Sequence, residues 1–440
     1  MKEPSNAYRH ERLACGIELA GLTLPGRKTA AFEIRVLTGT ANEPQERLGV
    51  ARLVDETLDK GTQKRTGPQL TDALDAIGAQ YGSGVGRETF VFKCSSLPEH
   101  LEAALALHAE MLRTPTFPDE FCAVARDLAG QELSAMEDEP DELSRKLISQ
   151  YAYGPVLGRH SLGTRESVAA TTRDDIVNYW KSNFAAPRMQ ISVGGGIDVD
   201  RFIGAVEREF AGFGAGSADG RKGFKAEFSP GVRHHDKVLE QEYILMCFPG
   251  VISGHPDQYV EDLALAILGG GMSSRLFTEV REKQGLVYWV GAWSEHPRGV
   301  GMVFLGASTT PARCDLTFKT LLREIDRLSE DLTQEELDRA KVGMTARQQT
   351  HGDITRARVS EMSSDLFLFG RPVPQEEKLA RIADVTIADI KRYLAEHPRN
   401  KLCTVTLGPK ALDGGIAGHH WRLISPSARC PTGCAYLSSR

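Results

Sequence analysis

Two side chains that could bind a carbonyl oxygen or an oxyanion, Arg281 and Tyr288, stand seven residues apart in the second half of the chain. The guanidinium keeps its charge and presents a fork of N–H donors, and the phenol adds an O–H donor. The local pattern places Arg281 in the last turn of a short helix and Tyr288 at the start of a strand. Alone, the two residues are more typical of an arginine that is solvated or paired with Glu279 or Glu282, beside a tyrosine packed on a sheet.

The elements that must position this pair can be predicted from the preceding residues. An apolar helix ends at Leu268, and a second helix is predicted to begin at Ser273 or Ser274 and to lead into a strand at Val287. A serine side chain can accept the first free N–H groups of a helix. Glycine adopts positive φ without strain, which predicts a stop for the first helix at Gly269, Gly270 and Gly271.

Read as a whole, the stretch GGGMSSRLFTEVREKQGLVYWV resembles the C-terminal domain of the insulinase, pitrilysin and mitochondrial processing peptidase family of zinc peptidases. In that family an Arg and a Tyr at this spacing reach from the second domain to the zinc site of a first domain and help hold the substrate. The resemblance implies those roles for Arg281 and Tyr288. It also implies a substrate-binding loop at Gly269, Gly270 and Gly271.

The resemblance further implies a zinc site in the first half, carried by an H-x-x-E-H helix. Two histidines one turn apart bind Zn²⁺, the glutamate between them activates water, and a later glutamate completes the site. The corresponding stretch here has Arg52 at the first histidine, Asp55 at the base and Glu56 at the second histidine. The third ligand falls on Glu132.

Arg52 cannot replace a metal ligand, because a guanidinium has no lone pair to donate and does not deprotonate. Arg52 and Glu56 are spaced i, i+4, so they can form an ion pair across one helical turn, where the metal would lie. The plainer interpretation is a solvent-exposed pair worth about 0.3–0.5 kcal/mol. Both interpretations predict a degenerate zinc motif and no metal in this chain.

The composition excludes several classes of protein. A chain of 440 residues with 41% hydrophobic and 25% charged residues is typical of a globular protein of two or three domains. The net charge is -6 and no block of like charge occurs, which argues against a nucleic-acid partner. No apolar run is long enough to span a membrane, and the first residues do not form a secretory signal, so we predict a cytoplasmic protein.

The cysteines give little sign of a cofactor. Most of the 8 cysteines stand singly in apolar segments, as small reduced core residues do. The exception is the C-terminal tail, where His419 and His420 precede Cys430 and Cys434. That spacing does not match the usual zinc fingers or ribbons, and we predict an irregular tail.

Helices and strands alternate in a pattern that occurs twice. Residues 90–101, a strand that leads into a helix, resemble residues 302–313, about 212 positions later, and the helix over 49–60 resembles 257–271. We therefore predict an α+β fold with two homologous α/β-roll domains, each an antiparallel sheet with helices packed on it. The predicted ranges are 1–211 for the first domain, 212–236 for a Gly-, Ser- and charge-rich linker, 237–410 for the second domain and 411–440 for the tail.

The sequence therefore lacks one half of a peptidase site and keeps the other. Because some members of the family are built from a zinc-bearing and a zinc-free chain, the resemblance implies a zinc-free subunit. It would lend Arg281 and Tyr288 to a zinc-bearing partner, as a heterodimer, that acts on an unfolded peptide. The alternatives are a homodimer, a non-catalytic scaffold or assembly subunit, and an autonomous metallopeptidase that uses Asp55, Glu56 and Glu132 as ligands for a hard cation.

Overall fold

The first half of the chain builds a six-stranded sheet. The computed structural model describes residues 8–214, 223–399 and 401–413. The sheet has the strand order β1-β2-β6-β3-β5-β4, and only β2 and β6 run parallel. Alternating apolar residues such as Phe90 and Phe92 bury one face of the sheet. Its strands are β1 (Tyr8–Arg12), β2 (Glu18–Thr23), β3 (Ala30–Val36), β4 (Gln80–Val85), β5 (Phe90–Ser96) and β6 (Met189–Gly195).

Eight helices accompany this sheet. Several begin at a threonine that caps the helix. In one of them, the side chain of Thr66 accepts a hydrogen bond from the backbone N–H of Gln69, and the side chain of Gln69 accepts one from the backbone N–H of Thr66. The helices are α1 (Val50–Thr57), α2 (Gly67–Ala76), α3 (Leu101–Arg113), α4 (Asp119–Asp138), α5 (Pro140–Leu157), α6 (Arg165–Ala170), α7 (Arg173–Asn183) and α8 (Val199–Phe210).

The second half builds a five-stranded sheet with the order β7-β11-β8-β10-β9, in which only β7 and β11 run parallel. Its strands are β7 (Gly231–Asp236), β8 (Glu242–Pro249), β9 (Val287–Glu295), β10 (Met302–Thr309) and β11 (Cys403–Gly408). Its helices are α9 (Gln258–Gly269), α10 (Cys314–Glu330), α11 (Gln334–Asp353), α12 (Thr355–Phe369), α13 (Gln375–Asp384) and α14 (Ile387–Glu396), and a short π-helix spans Leu276–Glu282.

The two halves repeat one topology, which confirms the predicted fold class and duplication. The order β2-β6-β3-β5-β4 of the first sheet recurs as β7-β11-β8-β10-β9, with the single parallel pair at the same place. Residues 231–236, which we had assigned to the linker, form β7. The polar composition misled the prediction because β7 is an edge strand, half buried along most of its length, and carries His234 and His235.

The halves exchange one helix each. Helix α5 of the first half packs on β8 and β11, where Ile148, Ala152 and Tyr153 join the core of the second sheet. Helix α12 of the second half packs on β3 and β6, where Met362 and Leu366 meet the first sheet. Each sheet is thus covered on one face by a helix from the other half, so the two units cannot separate without exposing both cores.

Candidate functional site

The residues predicted to stand at the zinc-ligand positions come together at the surface of α1 and α4. A guanidinium nitrogen of Arg52 lies 2.6 Å from Glu56 Oε1 and 3.5 Å from Glu132 Oε1. The three side chains remain 30%, 37% and 48% exposed, so the pairs are solvent-screened and worth well under 1 kcal/mol each. The structure thus brings Arg52, Glu56 and Glu132 into one cluster, which includes the Arg52–Glu56 pair expected from the i, i+4 spacing.

Helix α1 is held in place by its buried side and by a carboxyl group at its start. Leu53 and Val54 are fully buried against the first core. Glu43 is 4% exposed and accepts a hydrogen bond of 2.9 Å from the backbone N–H of Ala51. Burial raises the pKa of Glu43 to about 7, although hydrogen bonds from the backbone of Ala51 and Gly49 and the charge of Arg159 oppose the shift.

Asp55, the residue predicted at the position of the general base, is more deeply buried than the Arg52 cluster. It is 8% exposed, and the neighbouring side chain of Ser83 on strand β4 favours its charged form. Burial raises its pKa to about 6, against the opposing effects of Ser83 and Arg52, while the charges of Glu56 and Asp59 add to the rise. A carboxyl group of this kind can exchange a proton near neutral pH, beside the edge strand of the sheet.

The residues present do not fit a zinc ion at α1. Zinc in peptidases of this type takes imidazole and carboxylate ligands, and the space between Glu56 and Glu132 holds the cationic head of Arg52. Among the described residues, a metal-compatible group of three side chains occurs elsewhere, at Asp257, Glu396 and His397. Its two carboxylates are already bound by Arg392, at 2.5 and 2.8 Å. No catalytic step through a metal follows from this chain.

A cleft of about 730 Å³ runs beside the Arg52 cluster, between the two halves. Arg52 and Glu132 lie on its wall, and Trp293, Glu295 and Phe304 of the second sheet face them. Many of its other lining residues are charged or polar: Arg87, Glu139, Glu142, Arg145, Lys146, Arg159 and His160. A cleft with mixed charge and an aromatic floor suits a peptide better than a small apolar ligand.

Two contacts across this cleft were not singled out by the sequence analysis. The guanidinium of Arg145 on α5 lies 4.9 Å from the ring centre of Trp293 and 5.6 Å from that of Trp289 on β9. The carboxylate of Glu295 accepts a hydrogen bond of 2.9 Å from the hydroxyl of Tyr153 and forms an ion pair with Arg87 at 3.0 Å. Since each contact joins distant segments, no local spacing signals it.

The loop before Arg281 is built differently from the prediction. Neither Ser273 nor Ser274 caps the next helix, which begins after Arg275 and is a π-helix. Arg275 is 8% exposed and anchors this helix through Glu336 at 2.7 Å and Asp331 at 2.5 Å. Arginine takes the anchoring role because its fork can satisfy two carboxylates at once.

The predicted use of positive φ at the glycine run is wrong. Residues 269–271 are absent from the positive-φ glycines of the described chain, and Gly270 has φ -82. Gly269 is needed for another reason, because a Cβ there would collide with the backbone of Ala292 on β9. Gly271 is exposed and open on all sides, so the end of the loop stays accessible.

Arg281 is exposed in the last turn of the π-helix, as predicted. Its guanidinium lies 5.0 Å from the ring centre of Phe277. The neighbouring Glu279 pairs with Lys283 at 2.8 Å, so this carboxylate is bound to another cation. Within the described chain, Arg281 therefore presents its N–H donors to solvent.

Tyr288 is the extra residue of a β-bulge. Val287 pairs with Thr309 and Trp289 pairs with Ser308, which leaves Tyr288 unmatched between them. Its side chain is 58% exposed. Bulges redirect a side chain away from the regular alternation of a strand, and here the phenol is turned outward. Neither Tyr288 nor Arg281 lines the cleft beside Arg52.

The tail residues His419, His420, Cys430 and Cys434 lie outside the described residues. Within residues 8–214, 223–399 and 401–413, no helix has the length and apolar composition needed to cross a membrane.

Comparison with known families confirms the resemblance. The model of the insulinase family of peptidases, M16, matches residues 22–165, and the model described as the peptidase M16 inactive domain matches residues 170–344. The two matches are adjacent: the first lies within the first half of the fold, and the second begins at the end of α6 in the first half and extends into α11 of the second half.

Relatives and solved structures agree with these matches. An uncharacterized zinc protease of Rickettsia bellii is 27% identical over 94% of this chain and all of that protein. The uncharacterized zinc protease YmxG of Bacillus subtilis is 28% identical over 86% of this chain and 93% of that protein. A crystal structure described as a peptidase M16 inactive domain from Pseudomonas fluorescens has a TM-score of 0.84, with 22% identity over 92% of this chain and 98% of that one.

A protease from Helicobacter pylori shares the fold at a TM-score of 0.82, with 16% identity over 91% of this chain and 99% of that one. The fold, the duplicated topology and the two adjacent matches all point to the same group. The chain belongs to the insulinase (M16) family of peptidases.

Proposed function

We propose that this chain is the zinc-free subunit of an insulinase-like metallopeptidase made of two chains. One observation carries the proposal: Arg52 pairs with both Glu56 and Glu132, the carboxylates that the resemblance assigns to metal-ligand positions. The chain thus keeps the family's scaffold but offers a cation where its chemistry needs a metal. Hydrolysis would then take place at the zinc of a partner that carries intact ligands.

The contribution of this chain to the shared site would be Arg281 and Tyr288. Both are exposed, and neither faces its own cleft, so a second chain can approach them without displacing an internal contact. A guanidinium and a phenol that hydrogen-bond the oxygen of a scissile carbonyl stabilise the charge that develops there. The loop of Gly269, Gly270 and Gly271 would border the bound peptide.

The substrate class we propose is an unfolded or extended peptide. Strand β9 is the edge of the second sheet and β4 is the edge of the first, so each half has unpaired backbone groups along one side. Gly82 and Gly84 of β4 have open space where a side chain would be, which leaves that edge accessible. A peptide can add to such an edge as a further strand.

A non-catalytic scaffold is the second candidate, favoured by the ion-paired Arg52 cluster alone. It predicts that Arg281 and Tyr288 can be changed without effect on any partner activity. The autonomous metallopeptidase is disfavoured, because Asp55 is buried and the remaining carboxylates are paired with Arg52. A homodimer would unite two metal-free sites and is expected to be inactive. We place the complex in the cytoplasm.

The test begins with isolation of the chain from its native extract together with whatever it binds. Zinc content and peptidase activity are then measured on the complex and on the chain alone. Zinc and activity are expected only in the complex. Zinc and peptide cleavage by the isolated chain would overturn the proposal.

Variants of the complex locate the contribution of this chain. Arg281→Ala is expected to lower kcat by about 10²–10³, the usual effect of losing one oxyanion donor, and Tyr288→Phe should also lower kcat. Lys283→Ala is the matched control, because Lys283 is an exposed cation in the same turn that pairs only locally with Glu279. Equal activity for all three variants would support the scaffold instead.

A further inference from the structure

Two buried cysteines face each other across neighbouring strands of the second sheet. Cys247 on β8 and Cys403 on β11 are direct partners in the antiparallel register. Both are fully buried and belong to the hydrophobic cluster beneath α5, so their side chains lie on the same face of the sheet. No other two cysteines within the described residues are partners in a strand pair.

The spacing of such a pair is compatible with a disulfide. Directly opposite residues of antiparallel strands have Cα atoms about 4.5–5.5 Å apart, and a disulfide accepts Cα separations of about 4.4–6.8 Å. Opposite Cβ atoms lie about 4.5–5.5 Å apart, whereas a disulfide holds them at about 3.5–4.5 Å. The bond can therefore form without a change of register, although its closure draws the two strands together.

A cation lies next to one of the two sulfur atoms. The guanidinium Nη1 of Arg233, on strand β7, is 3.8 Å from the Sγ atom of Cys403. The other hydrogen bonds of Arg233 go to neutral oxygens of Ser229 and Pro230, and no carboxylate of the described chain forms an ion pair with it. Because the charge is not neutralised by a carboxylate, it can stabilise a thiolate at Cys403.

The two thiols differ in acidity. The neighbouring thiol of Cys247 and the charge of Arg233 lower the pKa of Cys403, against the effect of burial. Burial raises the pKa of Cys247. Since the thiolate is the nucleophile, Cys403 is the sulfur that reacts first with an oxidant, and Cys247 is placed to attack the product.

The cleft between the two halves passes close to this pair. Ile148 and Phe304 belong to the same hydrophobic cluster as the two cysteines and also line the cleft. Hydrogen peroxide is small and uncharged, so a local opening of these side chains admits it. A bulky thiol reagent needs a much larger opening and is excluded from the folded chain.

We propose that Cys247 and Cys403 are a redox-active pair, which a peroxide converts into a reversible disulfide. The thiolate of Cys403 attacks one peroxide oxygen and the O–O bond breaks, which leaves a sulfenic acid and, after protonation, one water. The thiol of Cys247 then attacks the sulfenic sulfur, the S–S bond forms and a second water leaves. The two sulfurs lose two electrons in total, and the peroxide is reduced to water. The inference does not depend on the proposed function.

The first test maps disulfides in the folded, full-length chain with Cys430→Ser and Cys434→Ser, so that tail thiols do not contribute. The chain is treated with hydrogen peroxide, alkylated after denaturation and digested for mass spectrometry. We expect one linked peptide that contains Cys247 and Cys403, and its loss after treatment with dithiothreitol. Cys94 is the internal control, because it is equally buried but faces no cysteine, and it should remain reduced.

Variants then test the order of the two steps. Cys247→Ser should stop the reaction at the sulfenic acid of Cys403, which dimedone traps. Arg233→Met should slow formation of the disulfide by about tenfold, the effect of raising a thiol pKa by about one unit. Arg233→Lys is the matched control, because it keeps the positive charge and should retain most of the rate. The arginine variants leave both buried cysteines in place, so the test does not depend on how well serine is tolerated there.

Three outcomes would overturn the inference. The first is that both cysteines stay reduced when the peroxide concentration is raised until the partly exposed Cys15 is oxidised. The second is that Cys247 and Cys403 become linked only after the chain has been unfolded. The third is an equal rate of disulfide formation for the native chain, Arg233→Met and Arg233→Lys, since the cation next to Cys403 would then have no part in the reaction.

Discussion

Rebuilding the zinc motif is the most direct test of the candidate site. The variant combines Arg52→His with Glu56→His, which places two imidazoles at i and i+4 on one side of α1. Glu132 of α4 already lies within 3.5 Å of the Arg52 head, so it can supply the third ligand. Two histidines and a glutamate form a recurrent ligand set for zinc in peptidases, with one position left open.

The structure sets the expected magnitudes. Removing the two exposed ion pairs should cost about 0–1 kcal/mol each, since Arg52, Glu56 and Glu132 are 30–48% exposed. The buried side of α1, with Leu53 and Val54, is untouched. If zinc binds with a Kd of about 1 μM or tighter, binding contributes at least about 8 kcal/mol. At a free zinc concentration of 100 times Kd the fold gains about 2.7 kcal/mol, which exceeds the lost pairs.

The assay is metal analysis after exhaustive buffer exchange, with thermal unfolding measured in the presence and absence of zinc. We expect one zinc per chain and a higher Tm for the variant, and no zinc at α1 for the natural sequence. Adding Glu132→Gln to the variant is the control and should weaken binding. If the variant folds but retains no zinc, then α1 and α4 are not arranged as a metal-binding pair, and the correspondence of Arg52 with a ligand is wrong.

The remaining predictions concern buried groups. Burial raises the pKa of Glu43 from 4.5 to about 7. The protonated carboxyl group therefore stabilises the fold fully below about pH 4.5. This contribution to the free energy of unfolding, up to about 3 kcal/mol, is lost as the pH rises through about 7. Glu43→Gln should remove this pH dependence in urea unfolding between pH 4.5 and 8, and an unchanged profile would contradict the assignment. Ser83→Ala should raise the pKa of Asp55 above about 6, measured by carboxyl NMR, because the side chain of Ser83 favours the charged form of this carboxyl group. Leu366→Ala, at a fully buried position of α12, should lower the free energy of unfolding by about 2–5 kcal/mol. Amide hydrogen exchange should then show an equal loss of protection in both sheets. A loss confined to the first sheet would show that the helix exchange does not couple the halves.

Features that depend on short spacings could be predicted from the sequence. The Arg52 and Glu56 pair follows from an i, i+4 spacing, and the position of Arg281 follows from the length of its helix. The duplication could be predicted because both copies keep the same succession of strand and helix. Composition was a weaker guide, since a polar edge strand and a linker have similar residues, as β7 demonstrates.

Features set by segments that are distant in the sequence could not be predicted. The exchange of α5 and α12 joins residues far apart in sequence, and an amphipathic pattern does not say which sheet a helix covers. The burial of Asp55 depends on how closely α1 approaches β4. The bulge at Tyr288 depends on the register of β9 with β10, which no single strand determines.

The proposed loss of a zinc motif is compatible with retention of the fold for one physical reason. Arg52, Glu56 and Glu132, the proposed ligand positions, lie on the exposed sides of two helices, where a change of side chain alters stability little. The inner residues of α1, such as Leu53, are fixed by the core. Arg275 ties the Arg281 helix to α11 and to the end of α10, elements distant from α1 in the chain. The metal position can therefore change to an ion pair while Arg281 and Tyr288 keep their places, which is what a subunit that serves a partner's zinc would require.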